Sequence, residues 1–241
     1  MSGMIRLYCE SRFHVEDLVQ LQKDEWHYFK NVRRAQGDII LFNSFGQEAE
    51  VELEHDSFRV KKILETTFSP WQVRLCVGLP DRQVCRDLVF LLSELGIEEL
   101  SFFPAKRSQS ARQRFDSISK LERWSIESAR QCARGRPLKI SSISWDQILD
   151  FSASSTFVLD ESNEGEAPSF FSGALESCQI VIGPEGGWSE EEREAFRSRK
   201  FKRVHFPTPI LKVATAASIG AFWAIQGLSR NPASSNSSLK V

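Results

Sequence analysis

Two short stretches in the last third of this chain carry residue types and spacings suited to chemistry. The first is Gly183-Pro184-Glu185-Gly186-Gly187. Three glycines in five residues permit positive φ and let a ligand come close to the backbone. The loop fits neither GxxxxGK(S/T) nor GxGxxG. Glu185 inside it, with Glu190, Glu191 and Glu192 just beyond, also opposes a polyphosphate. The alternatives are a tight strand-to-helix turn or a pocket that holds its ligand by backbone groups. The second stretch is Pro207-Thr208-Pro209 followed by Ile210, Leu211 and Lys212, two prolines leading to apolar walls and a cation.

A third feature is charge. Net charge over the 241 residues is only −1, yet ten Lys and Arg stand against three acids between Pro104 and Ile140, a local +7. An excess of that size suits a face that contacts phosphates. Five scattered cysteines without a CxxC read as reduced thiols, and four histidines without HExxH spacing give no metal site. No apolar run approaches the roughly 18 residues of a membrane span. With no signal-peptide core after Met1, the expectation is a cytoplasmic protein with no membrane and no metal.

The elements that must position these groups are legible as periodicities. Residues 180–182 form an apolar run suited to a buried parallel strand. Ser189 with Glu192 forms a capping box that opens a helix directly after the glycine loop, and the acidic run 190–192 falls in its first turn. Residues 202–206 read as the next strand and 210–224 as a final helix rich in small residues. Upstream, strands over 73–79, 100–103, 138–143 and 157–160 alternate with helices over 84–95 and 117–133, Gly96 ending the first. About six such strands argue for a parallel sheet covered on both faces, with ligands at the strand ends. Residues 1–69 differ: 38–53 alternate around Asn43-Ser44-Phe45-Gly46 as a hairpin, with a helix near 26–35 and more β-prone sequence over 58–68. This suggests a small β-barrel. The division expected is therefore 1–69, 70–230 and a polar tail over 231–241 read as disordered.

IGPEGGWSEEE followed by PILKVATAA resembles the C-terminal motifs of SPOUT-class RNA methyltransferases, and within them the RsmE family. LLSELGIEELSFFPAKRSQSA is similar to that family's ELG…P…RS motif through Glu94, Leu95, Gly96, Pro104, Arg107 and Ser108. KLERWSIESARQCARGRPLKI matches a further segment through Glu122, Arg123, Trp124, Gln131, Arg134 and Pro137. HYFKNVRRAQGDIILF resembles its PUA-like N-terminal domain through His27, Arg33, Gly37 and Asp38. The resemblance implies an α/β SPOUT-type sheet domain with a C-terminal trefoil knot, preceded by a PUA-like β-barrel that binds RNA.

It also implies S-adenosylmethionine held by Leu159, Gly183, Pro184, Glu185, Gly186, Gly187, Ile210 and Leu211. The implied reaction is methylation of uracil N3 at a uridine of 16S ribosomal RNA, in the small subunit or 30S particle. Arg107, Arg134 and Lys212 are the implied catalytic cations, and Arg33, Arg107, Ser108, Gln131 and Arg134 the RNA contacts. A homodimer paired through the last helix, with arginines lent between subunits, completes the expectation. The second motif departs from the family: Pro209, Lys212 and Ala214 stand where arginine, arginine and glutamate are usual. Two other readings therefore stay open, an RNA-binding protein on the same scaffold with little or no catalysis, and a methyltransferase acting on another RNA atom.

Overall fold

The structure, a computed structural model, describes residues 4–32, 38–65, 71–108, 118–152, 154–162, 165–168 and 176–229. The chain divides into two compact units, Met1–Ser69 with Ile126–Pro137, and Pro70–Ser125 with Leu138–Val241. Residues 126–137 thus join the N-terminal unit, although the sequence division at residue 69 leaves them outside it.

In the first unit, β1 (Ile5–Tyr8), β2 (Leu18–Val19), β3 (Ile39–Phe42), β4 (Glu48–Glu54) and β5 (Ser57–Leu64) form one sheet in the order β1-β3-β4-β5-β2. The β1–β3 pairing is parallel and the rest antiparallel. The alternation read from the sequence is the reason: Leu41, Ala49 and Val51 share one buried face, while Glu50 and Glu52, on the other face of β4, are exposed. Helix α1 (Lys23–Val32) adds Phe29 to this core, its ring edge-on to Phe58 at 5.2 Å. Residues 126–137 are held by polar contacts. The Arg6 guanidinium pairs with Glu48 and donates to the Arg134 carbonyl at 3.1 Å, and Arg130 pairs with Glu25.

The second unit holds six parallel strands: β6 (Trp71–Gly78), β7 (Ile97–Phe103), β8 (Lys139–Ser142), β9 (Thr156–Leu159), β10 (Cys178–Ile182) and β11 (Lys202–Val204). Their order is β11-β9-β10-β6-β7-β8. Being buried on both faces, the strands sort their apolar residues by parity. Val73, Leu75, Val77, Phe157, Leu159, Ile180 and Ile182 meet helices α2 (Arg82–Glu94), α3 (Ile118–Gln131) and α6 (Val213–Ser229). Cys76, Val158 and Val181 face the opposite layer, which holds α4 (Trp145–Leu149) and α5 (Glu190–Ser198) with Trp188 and Phe196. Asp81 caps α2 by accepting the Val84 N–H at 2.9 Å, and Gly96, at φ +71°, turns the chain into β7. Helix α6 starts at Val213, three residues later than the sequence pattern places it; residues 210–212 are irregular, and the Lys212 carbonyl accepts the first bond of the helix, from the Ala216 N–H. Helix α4, opened by the Ser144–Gln147 capping box, is an element the periodicity missed because it is only five residues long.

Candidate active site

The strand registers place several loops side by side. Ile182 at the end of β10 pairs with Val77 of β6 on one flank and Leu159 of β9 on the other; Val204 of β11 pairs with Leu159. The glycine loop, the residues after Leu159 and the segment after Val204 therefore leave the same edge of the sheet. The order of β6 to β8 runs to one side and the chain then returns to β9 on the other, which makes this edge the topological switch point where ligands bind in open α/β sheets.

The glycines of the loop are closely approached, Gly186 and Gly187 too closely for any side chain. A Cβ on Gly183 would lie 3.1 Å from the Trp188 ring, and one on Gly186 would lie 2.9 Å from Arg107 Cβ and 3.0 Å from its carbonyl oxygen. Gly187, at φ +66°, would place a Cβ 2.4 Å from a Glu161 carboxylate oxygen. The Gly187 N–H closes the turn on the Pro184 carbonyl at 2.9 Å. Trp188 anchors the far side: it is fully buried, donates from Nε1 to the Leu159 carbonyl at 2.8 Å, and stacks on Phe103.

Helix α5 begins with the expected capping box. Ser189 Oγ accepts the Glu192 N–H at 3.2 Å, and Glu192 Oε2 accepts the Ser189 N–H at 2.8 Å. The other Glu192 oxygen, Oε1, accepts the Lys106 backbone N–H at 2.9 Å. That bond ties the segment after β7 to the glycine loop. Lys106 Nζ stands 3.5 Å from Glu191, and Arg107 Nη1 donates to the Gly186 carbonyl at 3.2 Å. Arg107 is exposed and lies against the glycine loop of its own chain.

Beneath the loop lies an ion cluster that the sequence pattern did not reveal. The Asp160 carboxylate, buried at the end of β9, accepts from Arg203 Nε at 2.8 Å and from the Ser162 N–H at 3.0 Å. Arg193 Nε stands 3.4 Å from the same carboxylate, and Arg193 also donates to Glu161 at 2.7 Å and to the Trp188 carbonyl at 3.0 Å. Burial pushes the Asp160 carboxyl up, but the Ser162 N–H and the Arg203 guanidinium outweigh it, and its pKa lies below the ordinary Asp value. The available signal was an aspartate directly after the apolar run 157–159, with arginines in the next helix and strand.

The remaining sequence-derived positions are distributed as follows. Leu159 and Pro184 are buried, Glu185 and Gly186 exposed, and Leu211 half-buried. Ile210 is 86% exposed, and Lys212 is exposed just before α6, its carbonyl accepting the Ala216 N–H. Ser108 is buried, with its Oγ accepting the Ala105 N–H at 3.3 Å. Gln131 is exposed at the end of α3. Arg134 belongs to the first unit and is 2% exposed, and its backbone carbonyl accepts from Arg6. Arg33 lies outside the described residues, as do Arg112, Arg114 and the tail over 231–241. Of the last helix, Ala217, Trp223 and Ile225 are buried within the chain, and Phe222 is 57% exposed.

A methionine–adenosine ligand needs unpaired backbone groups and a wall free of side chains. Among the described residues, the N–H groups of Glu185, Gly186, Ile210 and Leu211 donate to no backbone acceptor, and the exposed Ile210 supplies apolar surface. The residues present fit such a ligand. Among the described residues no group of His, Cys, Asp and Glu is arranged to hold a metal ion, and no helix is long and apolar enough to cross a membrane.

A family model described as "RNA methyltransferase domain" matches residues 67–224. The chain belongs to that family of RNA methyltransferases, in its RsmE branch. A curated relative from Aquifex aeolicus, named Ribosomal RNA small subunit methyltransferase E, is 27% identical over 164 residues, 66% of this chain and 71% of its own. A relative of the same name from Bacillus subtilis is 29% identical over 215 residues, 80% of this chain and 84% of its own. Among solved structures, a Ribosomal RNA small subunit methyltransferase E from Neisseria gonorrhoeae, bound to S-adenosyl methionine, superposes with a TM-score of 0.79 at 20% identity, covering 94% of this chain and 98% of that one. A Thermotoga maritima protein described as a predicted RNA methyltransferase gives 0.68 at 26% identity, covering 92% and 98%. The fold is that of an α/β methyltransferase with one mixed and one parallel sheet.

Proposed function

We propose that this chain uses S-adenosylmethionine to methylate uracil N3 at one uridine of 16S ribosomal RNA in the small subunit. The observation that carries the reading is Arg107 held against Gly186, a cation fixed beside a glycine loop whose backbone is open to a ligand. S-adenosylmethionine, when bound, supplies an electrophilic methyl group. The protein's own residues bind and orient. The backbones of 183–187 and 210–211 hold the cofactor, with Leu159 and Pro184 behind them. Uracil N3–H is a weak acid, and Arg107 stabilises the charge that spreads onto O2 and O4 as the proton leaves. Lys212 is the second cation; it keeps the charge of the arginine usual at that position but lacks the bidentate fork. Arg134 is the third cation of the reading; it is 2% exposed, so its charge acts from behind the surface.

The assignment extends to the architecture and setting. The C-terminal segment is a trefoil knot, as the family resemblance implies; β10 lying between β9 and β6, both earlier in the chain, is compatible with it. The first unit serves as a PUA-like RNA-binding domain, the exposed Phe222 of α6 meets a second copy in a homodimer, and the protein works in the cytoplasm.

The test is direct. Purified protein, 30S particles and labelled S-adenosylmethionine should yield N3-methyluridine on nucleoside mass analysis, and RNA from cells lacking the gene should lack it. Methyl transfer to a ribose hydroxyl would redirect the activity to another atom. RNA binding without transfer would identify a non-catalytic binder, the reading that Pro209 and Ala214 favour by thinning the polar groups of the second motif.

A further inference from the structure

The first unit displays an aromatic–cation pair for which its own core has no use. Phe45, at the tip of the β3–β4 hairpin, is 51% exposed, and the Arg12 guanidinium carbon lies 4.3 Å from the centre of its ring. A lone exposed phenylalanine would need no explanation. Here, however, both partners are held from either side. Asn43, fully buried, accepts the Phe45 N–H at 3.0 Å and the Gln47 N–H at 2.9 Å through Oδ1. Its Nδ2 donates to the Ser11 carbonyl at 2.9 Å. Gln47 exchanges two hydrogen bonds with the Phe13 backbone, at 3.1 and 3.2 Å, and the Phe13 side chain is buried. The neighbours of Arg12 are thus bonded to residues flanking Phe45. Gly46, at φ +80°, turns the hairpin back, and a Cβ there would lie 3.8 Å from the Arg136 Cδ.

The chemistry of this surface is specific. Arg12 covers one face of the ring by a cation–π contact, which leaves the other face for a flat partner. Among the described residues Arg12 forms no ion pair, so its charge remains available to an anion. An exposed aromatic ring beside an arginine without an ion pair is what an unpaired base and its phosphate require. We propose that Phe45 and Arg12 form a docking point for an unpaired base of the RNA substrate. The base stacks on the face of Phe45 away from Arg12, and a neighbouring phosphate meets Arg12. This rests on the RNA-modifying function proposed above. It assigns the hairpin to substrate recognition, away from the transfer step.

The experiment measures two things with the full chain: equilibrium binding of labelled small-subunit RNA, and kcat and KM for methyl transfer to 30S particles. Phe45→Ala and Phe45→Leu should each weaken binding and raise KM by about five- to a hundredfold, with kcat little changed. Phe45→Trp should restore both, and unfolding curves should show all three variants intact. Arg12→Ala should weaken binding and lower the slope of log affinity against log salt by about one. A Phe45→Leu protein that binds like the wild type would overturn stacking, since it keeps apolar bulk without the ring. A Phe45→Ala protein with unchanged binding but altered sedimentation would make the hairpin a protein contact and overturn the proposal. Wild-type protein that binds RNA but transfers no methyl overturns the enzymatic reading alone, and the binding series then decides the docking point by itself.

Discussion

The Glu192 carboxylate accepts the backbone N–H of Lys106, 86 residues away in the chain, at 2.9 Å. One carboxylate thereby caps α5 and fixes the residue before Arg107. Glu192→Gln keeps a single acceptor for two buried N–H groups, and Glu192→Ala keeps none. An unsatisfied buried donor costs about 1–3 kcal/mol. Glu192→Ala should therefore lower thermal stability measurably and reduce kcat, with Glu192→Gln in between. Equal kcat in all three proteins would separate the capping box from the placement of Arg107.

Gly186 tests the cofactor loop. Its missing Cβ leaves room for the Arg107 backbone, so Gly186→Val must displace one loop or the other. Affinity for S-adenosylmethionine by calorimetry should fall at least about tenfold, roughly 1.4 kcal/mol, while the unfolding transition stays cooperative. Unchanged affinity in a folded variant would move the pocket away from this loop.

Arg107 tests the charge. Arg107→Lys keeps the cation and loses the planar fork, so cofactor affinity should hold while kcat drops. Arg107→Ala should cost about a hundred- to a thousandfold in kcat, the scale of losing one transition-state donor. A variant with normal kcat and raised KM would make Arg107 an RNA-binding residue only.

Asp160 sets an acid limit. Its carboxyl titrates below the ordinary Asp value in the folded chain, so the stability it contributes is fully present above the unfolded value, about 3.9, and is lost as pH falls through the lower folded one. Thermal unfolding should move to lower temperature as pH drops through that window. Asp160→Asn, which leaves Arg203 and Arg193 without their shared carboxylate, should be destabilised at pH 7 by about 3–5 kcal/mol. The gap between the two proteins should narrow toward pH 2. A constant gap would place the acid sensitivity elsewhere.

Much of the second unit was legible because its signals are local. The apolar run 180–182, the Ser189–Glu192 box and Gly96 each fix a boundary through residues a few positions apart, and the structure has them as strand, cap and turn. The pairings that build the site are long-range and left no such trace. Nothing near Lys106 announces Glu192, and the aspartate after the run 157–159 does not by itself say which arginine it meets. Arg134 shows another limit. In the sequence it is one cation of a +7 stretch, yet its segment belongs to the first unit and the residue is buried. A charge count cannot distinguish a cation facing solvent from one that is buried.

Strand β10 fills the gap between β9 and β6 and supplies a full ladder to each. During synthesis, β6 to β9 emerge well before it, and until residue 182 leaves the ribosome their facing edges have no partner. Val73, Leu75 and Val77 on the waiting edge of β6 make a sticky template for another nascent chain. Folding of this unit is consequently a late event with a high loop-closure cost. Refolding from denaturant should be slow and should lose yield as protein concentration rises. A chain cut before residue 178 should aggregate rather than fold, even though it retains four of the six strands.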